Sequence, residues 1–319
     1  MKLMVTGGAG FIGSHFVNFL IDNFTLDGEI ERIIIIDKLT YASDTKYLEQ
    51  LRKNPKVDFF KVDICDRHAL FTGEWNVDFI VNFAAESHVD RSLRNPQIFT
   101  STNILGTCNL LDLILEGKAD ALIQVSTDEV YGSILKGSWT EDYNLQPRSP
   151  YSASKASADL LAMSYYSSFD LDVRITRASN NYGPRQHSEK MIPTIINSIL
   201  RNNPIPVYGT GNQIRDWLHV QDHVQGIWQA IKRGKKGQVY NLGGGTELTN
   251  LDLIAEISKF FPEHKILIEH VEDRKGHDFR YSLDFTKASQ ELGYSPSVTL
   301  QDGLSKTIEF YINASSVET

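Results

Sequence analysis

The sequence predicts an α/β protein: a doubly wound parallel sheet with a smaller α/β lobe after it in the chain. Three observations predict this. Over the first half, short β-rich runs alternate with longer amphipathic segments. Those runs are almost continuously apolar rather than alternating, as strands are when helices cover both faces of a parallel sheet. A glycine-rich turn joins the first run to the first amphipathic segment, and repeated strand–helix order implies right-handed crossovers.

Taken in order, strands are expected at 2–6 (KLMVT), 32–37 (RIIIID), 58–62 (DFFKV), 78–84 (DFIVNFA) and 121–126 (ALIQVS). Helical spacing marks residues 11–24, 43–54 and 102–117. After about residue 178 the pattern changes. Residues 180–190 are turn-rich, 191–203 helical, 207–223 loop and short strand, and 248–261 and 300–314 helical. The run KRGKKG (232–237) reads as an exposed helix end and turn. The expected division is 1–178 for a dinucleotide-binding domain and 179–319 for a substrate lobe, with some chain returning to the first domain. The terminal SSVET is expected to be disordered.

The chain has 319 residues, 41% of them hydrophobic, and a formal net charge of -8. Such acidity argues against nucleic-acid or membrane partners, which are polyanions. Two cysteines, Cys65 and Cys108, make neither a disulfide framework nor a four-ligand zinc site, and both are expected reduced and buried. The histidines lack metal-ligand spacing, so no metal is expected. With no leader-like N-terminus and no apolar window of bilayer length, the expectation is a cytoplasmic protein.

VTGGAGFIGSH (5–15) satisfies G-x-G-x-x-G through Gly8, Gly10 and Gly13, and G-x-x-G-x-x-G through Gly7, Gly10 and Gly13. Missing side chains let backbone amides approach a pyrophosphate at the positive end of a helix. Asp37, ending the second strand, stands where a carboxylate binds both ribose hydroxyls of NAD and repels a 2′-phosphate. Lys38 beside it weakens that preference slightly. The sheet is therefore of Rossmann type and the expected cofactor is NAD.

Tyr151 and Lys155, four residues apart on a helix, share one face. A nearby ammonium favours phenolate, so Tyr151 is expected to accept a proton near neutral pH. At the end of the fifth strand stands Thr127, followed by the acids Asp128 and Glu129. Two close carboxyls in a partly dry site push their pKa values apart, giving one acid and one base.

With these residues in place, the sequence resembles an extended short-chain dehydrogenase/reductase acting on a nucleotide sugar. Thr127, Tyr151 and Lys155 match that family's triad. STDEVYG is similar to the signature of dTDP-glucose 4,6-dehydratases, hydro-lyases that oxidise C4, eliminate water across C5 and C6, and return the hydride to C6. The resemblance implies that Tyr151 is the base for the 4-hydroxyl, that Thr127 bonds the 4-oxygen, and that Lys155 holds the ribose. It makes Glu129 the C5 base and Asp128 the C6 acid.

It also implies that NAD is held by Gly7, Gly10, Phe11, Ile12 and Gly13, then by Asp37, Lys38, Thr40, Asp63 and Ile64. Ala84, Ala85, Thr102, Tyr151 and Lys155 complete that set. The sugar nucleotide falls to Ser87, Asn180, Glu189, Lys190, Arg215, Asn250, Arg274 and His277. Arg215 and Arg274 suit a diphosphate, since arginine presents paired donors to phosphate oxygens. A homodimer built on a four-helix bundle is implied as well.

Three features depart from the family pattern: the loop 133–147, Ala178 where cysteine is common, and Arg185 where an aromatic is usual. Arg185 is expected close to the nucleotide or sugar. Other readings are the same chemistry on UDP-glucose or another nucleotide sugar, a 4-epimerase, or a non-catalytic NAD sensor on this fold. The acid pair argues against an epimerase, which only removes and returns a hydride at C4.

Overall fold

In the computed structural model, residues 1–274 and 276–317 are described. The five expected runs form strands β1 (Lys2–Thr6), β2 (Arg32–Ile36), β3 (Val57–Phe60), β4 (Val77–Asn82) and β5 (Ala119–Thr127). Two further strands, β6 (Asp172–Ala178) and β10 (Val239–Leu242), extend the sheet beyond the sequence expectation. The order is β10-β6-β5-β4-β1-β2-β3, and every pairing in it is parallel. β3 and β4 end earlier than expected, and the chain beyond each leaves the sheet towards the cofactor site. The order of strands reverses at β1, flanked by β4 and β2, and crevices for ligands open at such reversals.

Helices α1 (Phe11–Phe24), α2 (Thr45–Leu51), α3 (Arg67–Thr72), α4 (Val89–Arg94), α5 (Pro96–Phe99), α6 (Gly106–Leu115) and α7 (Pro150–Phe169) belong to the first 178 residues. Apolar residues of β2 serve both faces of the sheet: Ile33 and Ile35 join the core with α1, Ile34 and Ile36 the core with α6. All four are no more than 1% exposed, each stabilising the fold by roughly 1.5–3 kcal/mol.

The remaining elements are β7 (Asn180–Tyr182), α8 (Met191–Leu200), β8 (Ile205–Tyr208), β9 (Ile214–His219), α9 (Val220–Arg233), β11 (Glu247–Thr249), α10 (Asn250–Ser258), β12 (Ile268–Val271), α11 (Thr286–Leu292) and α12 (Leu300–Val317). β11, β9 and β7 form one small sheet and β12 pairs β8 in another. α8, α10 and α12 close a separate core over them, around Ile195, Ile254 and Leu304. α9, by contrast, packs through Val224, Ile227 and Ile231 into the core of α1, with Leu292 and Tyr294 beside it.

Several expectations are corrected. Residues 220–223, read as loop, open α9, a helix with apolar residues at Val220, Val224, Ile227 and Ile231. Residues 315–317, expected disordered, continue α12; Glu318 and Thr319 lie outside the described residues. Cys65 and Cys108 are free but only half-buried. The helical stretch Pro96–Leu115 is long and apolar enough to cross a membrane by length and composition, with 56% of that window buried inside the protein.

Within that stretch, Thr100–Leu105 is wound as a wide π turn. Such turns interrupt a helix at a cost and concentrate where function needs a side chain re-aimed. Here Asn103 accepts the Glu86 amide at 2.9 Å and donates to the Glu86 carbonyl at 3.0 Å and to Ser154 of α7 at 2.8 Å. One side chain thus ties the loop after β4 to the helix that carries Tyr151 and Lys155.

Candidate active site

Between β1 and α1 the chain turns through Gly7, whose φ is +68°. A side chain there would put Cβ 2.6 Å from the Ala84 amide, and one at Gly13 would put it 2.4 Å from the Gly7 carbonyl. Only glycine allows β1, the turn and α1 to meet so closely. α1 begins after Gly10 with no side-chain cap, so its first amides face outward without an internal partner. That donor set at a helix N-terminus fits a pyrophosphate. Phe11 and Ile12 form this first turn, and their side chains pack against the core rather than into the cavity.

Gly7, Gly10, Asp37, Lys38 and Thr40 line the cavity beside the turn, with Asp63, Ile64, Ala84, Ala85 and Thr102 across from them. The Asp37 carboxylate accepts the amides of Ala9 at 3.0 Å and Leu39 at 2.8 Å, and the Ser43 hydroxyl at 3.3 Å. These donors fix the plane of its carboxylate at the edge of the cavity. Lys38 Nζ is 3.5 Å from Asp63 and 3.4 Å from the Thr102 hydroxyl. Its charge is engaged there rather than with the Asp37 carboxylate.

The catalytic candidates meet where β5 ends. Asp128–Tyr131 make one 3-10 turn, and the Thr127 hydroxyl accepts the Glu129 amide at 3.3 Å and donates to Asp128 Oδ1 at 3.1 Å. Gly132 ends the turn with φ +87°, and a Cβ there would lie 2.5 Å from the Gln146 carbonyl. Opposite, α7 starts with a reciprocal cap between Ser149 and Ser152, which fixes the register of Tyr151 one residue inside the helix. Lys155, one turn on, donates from Nζ to the Val125 carbonyl of β5 at 2.6 Å.

Asp128 is 2% exposed, and its Oδ2 has no hydrogen-bond partner among the described residues. Burial, and then the neighbouring Glu129, hold its pKa well above the usual carboxylate value. Burial raises Glu129 too, but Lys190, Arg215 and Arg274 oppose the rise. The two carboxyls therefore separate: Asp128 keeps its proton more readily than Glu129. Burial lowers Lys155 to about 8, and Asp159, one turn further along α7, counters the fall.

The expectation for Tyr151 is corrected. Burial, Glu129 and Asp128 push its pKa up, and the Thr127 hydroxyl counters only in part. Burial is the largest of these effects, and the Lys155 ammonium is turned to a carbonyl of β5.

A larger cavity of about 900 Å³ opens between the sheet and the second lobe. Lys38, Thr40 and Glu86 line both cavities. Glu129, Asn180, Glu189, Lys190, Arg215, Asn250, Arg274 and His277 all line the larger one. Ser87 does not line it; its carbonyl accepts Lys190 Nζ at 2.9 Å. Arg215 lies over the Tyr281 ring at 4.3 Å and donates to the carbonyls of Ile214, Asp278 and Phe279. Arg274 pairs with Asp90 at 2.8 Å, and its guanidinium lies 4.2 Å from the Tyr208 ring centre. Glu189 is paired with Arg91 at 2.7 Å and His88 at 3.3 Å. His277 contacts Asp273 at 2.6 Å, and burial lowers its pKa.

Sequence reasoning missed Tyr41, Asp90, Arg91 and Tyr208, which line this cavity. Their only advance signal was proximity in the chain to assigned residues. It also misplaced Arg185, which lines neither cavity and turns instead towards α2, where its guanidinium is 3.6 Å from the Tyr47 ring centre. Among the described residues no cluster of three or more His, Cys, Asp or Glu side chains is placed to hold a metal.

Known proteins share this arrangement. The family model described as GDP-mannose 4,6 dehydratase matches residues 4–307. A dTDP-glucose 4,6-dehydratase of Streptomyces griseus is 47% identical, over 97% of this chain and 93% of that protein. The solved structure of DesIV, a dTDP-glucose 4,6-dehydratase from Streptomyces venezuelae with NAD bound, superposes with a TM-score of 0.96 at 46% identity, over 99% of this chain and 98% of that one. A UDP-glucuronic acid 4-epimerase from Bacillus cereus superposes with a TM-score of 0.91 at 30% identity, over 98% and 100%. A family model spanning the catalytic turn, the glycine cradle and most of the second lobe places the chain: it belongs to the GDP-mannose 4,6-dehydratase family, and its near full-length relatives include dTDP-glucose 4,6-dehydratases.

Proposed function

We propose that the chain is an NAD-dependent nucleotide-sugar 4,6-dehydratase, a hydro-lyase that converts dTDP-glucose to dTDP-4-keto-6-deoxyglucose. The observation that carries the reading is the acid pair beside Thr127: Asp128 is buried, with Oδ2 unpartnered among the described residues, and the half-buried Glu129 lines the larger cavity. An epimerase needs no such pair, although an epimerase shares the fold. The relatives act on dTDP-glucose by name, which favours that nucleotide over UDP.

When bound, NAD takes the hydride from C4, returns it to C6, and brings its positive nicotinamide into the site. The protein does the rest. Tyr151, whose phenolate the positive charge of bound cofactor would favour against the raised pKa of the site alone, takes the proton of the 4-hydroxyl while the Thr127 hydroxyl bonds the same oxygen, and Lys155 holds the ribose. Once C4 is a ketone, the C5 proton is acidic and Glu129, the more readily ionised carboxyl, removes it. Asp128, which retains its proton, donates it to the departing 6-hydroxyl, which leaves as water; as hydride reaches C6, Glu129 returns a solvent-exchanged proton to C5. Arg215, Arg274 and Lys190 offset the diphosphate charge in an otherwise acidic protein. Asn180, Glu189, Asn250 and His277 serve the sugar and nucleoside, with Ser87 holding Lys190.

On this reading residues 1–178 bind the cofactor and 179–319 the nucleotide sugar, with α9, β10 and α11 returned to the first domain. Exposed Leu105 and Leu160, on the segments leading through α6 and α7, suit a homodimer paired through those helices. The product would enter deoxysugar synthesis, such as that of rhamnose. The test is turnover of dTDP-glucose and, separately, UDP-glucose, with the products read by NMR. A 4-keto-6-deoxy sugar formed with the higher kcat/KM from dTDP-glucose is expected. A higher value for UDP-glucose would reassign the base, and no keto sugar from either would overturn the reading.

A further inference from the structure

Arg185 sits outside both cavities, yet its position is held at some cost. Pro184 and Arg185 are central to the turn after β7, and Arg185 has φ +68°, a conformation that side chains other than glycine avoid. Its guanidinium lies 3.6 Å from the centre of the Tyr47 ring on α2 and 5.3 Å from that of Phe310 on α12. It donates to Asp44 Oδ2 at 3.3 Å. The flanking residues dock too: the Pro184 carbonyl meets His15 of α1 at 2.9 Å, and the Gln186 carbonyl accepts the Tyr311 hydroxyl.

Asp44 is the far end of the loop that wraps Asp37. Its Oδ1 caps α2 through the Tyr47 amide at 2.9 Å. Its own amide donates to the Ala9 carbonyl at 2.8 Å, and the Ala9 amide donates to Asp37 at 3.0 Å. Ser43, next to Asp44, donates to the same Asp37 carboxylate. A short chain of contacts thus runs from Arg185, on the substrate lobe, to the carboxylate that faces the cofactor ribose. We propose that Arg185 is a positioning residue for NAD: it clamps the 39–44 loop through Asp44 and Tyr47, and so sets cofactor affinity without touching the cofactor. This rests on the reading of the Asp37 cavity as the NAD site.

Stacking and charge both contribute, because a planar guanidinium can lie on a ring and pair with a carboxylate at once. Lysine at 185 would keep the charge and lose the stack. Asparagine at 44 would keep the helix cap and lose the charge.

The test is calorimetric titration of the full chain, freed of nucleotide, with NAD and, separately, with thymidine diphosphate. Arg185→Ala is expected to weaken NAD binding about tenfold, the scale of a half-buried cation–π and ion-pair contact. Thymidine diphosphate affinity and turnover at saturating NAD keep their values. Asp44→Asn gives a loss of the same kind, and the double variant loses less than the sum of the two. Unchanged NAD affinity in both single variants would overturn the proposal, as would equal losses for NAD and thymidine diphosphate, the mark of general loosening. If Arg185→Ala does not fold, Asp44→Asn and Arg185→Lys read the same link. Failure of the unaltered chain to bind NAD would instead sink the cofactor reading beneath it.

Discussion

Asp128→Asn should raise stability while removing activity, and the two effects should differ in their dependence on pH. In the folded protein Asp128 is 2% exposed with Oδ2 unpartnered among the described residues, and burial and the neighbouring Glu129 hold its pKa well above the usual carboxylate value. A carboxyl whose folded pKa is raised gives up its proton first in the unfolded chain. Its burial is free of penalty below about pH 4, and stability is lost progressively as pH rises from there through the folded pKa. Asparagine is nearly the same shape, can keep the Thr127 bond, and never ionises. The gain at alkaline pH is therefore the extra cost of leaving a charged rather than a neutral group buried without a partner, about 1–3 kcal/mol. Across 319 residues, at about 2.1 cal/mol/K each, that shifts Tm upward by about 1.5–4.5 °C.

The assay is thermal unfolding of both proteins near pH 4 and near pH 8, paired with turnover of dTDP-glucose. Little Tm difference is expected at the acid end and the full shift at the alkaline end. Turnover falls by about 10²- to 10⁴-fold at every pH, because asparagine has no acidic proton to give the leaving hydroxyl. Destabilisation at pH 8, or an equal gain at both pH values, would refute the argument that Asp128 is held as a buried acid.

Glu129→Gln should still permit oxidation at C4 but stop proton removal at C5, so the absorbance of reduced cofactor accumulates in stopped-flow; keto-deoxysugar formed at the normal rate would remove Glu129 as the base. Tyr151→Phe should slow the first hydride transfer by about 10²- to 10⁴-fold with NAD still bound, checked by single-turnover absorbance together with calorimetry. Because burial depresses Lys155 to about 8, its ammonium is present below that value and lost above it. The kcat/KM of the unaltered chain should therefore decline as pH rises through about 8, and Lys155→Arg, which stays charged, should lack that limb.

The nucleotide half of the molecule was legible because each step has a local physical signature. The runs at β1 and β2 are apolar enough to specify buried parallel strands, and Gly7, Gly10 and Gly13 mark a turn that a Cβ would close. β6 escaped because Arg174 and Arg177 interrupt its apolar residues Val173, Ile175 and Ala178; Arg177 is buried against Asp159 of α7, which pairs with it at 2.9 Å. That partner is 18 residues away in sequence, beyond what periodicity reports. α9 was obscured by Gly226 and polar residues interleaved with its apolar stripe.

At the site, residue types were readable but electrostatic balance was not. The spacing of Tyr151 and Lys155 suggested a phenolate. The fold packs Glu129 and Asp128 against the phenol and directs Lys155 Nζ to Val125, and the balance reverses. Arg185 looked like a ligand residue because it neighbours Lys190 in sequence, whereas its turn points it at α2. Asp90 and Arg91, which hold Arg274 and Glu189, follow Ser87 closely in the chain, but their partners lie about 100 or more residues away, beyond what spacing reports.

The most direct test of the account is mass spectrometry of the product formed from dTDP-glucose by the purified chain in heavy water. If Glu129 removes the C5 proton and Asp128 expels the 6-hydroxyl, the product has lost one water and carries one solvent deuterium, at C5. Recovery of the galactose isomer at unchanged mass would contradict this, leaving the buried acid pair without a role in elimination.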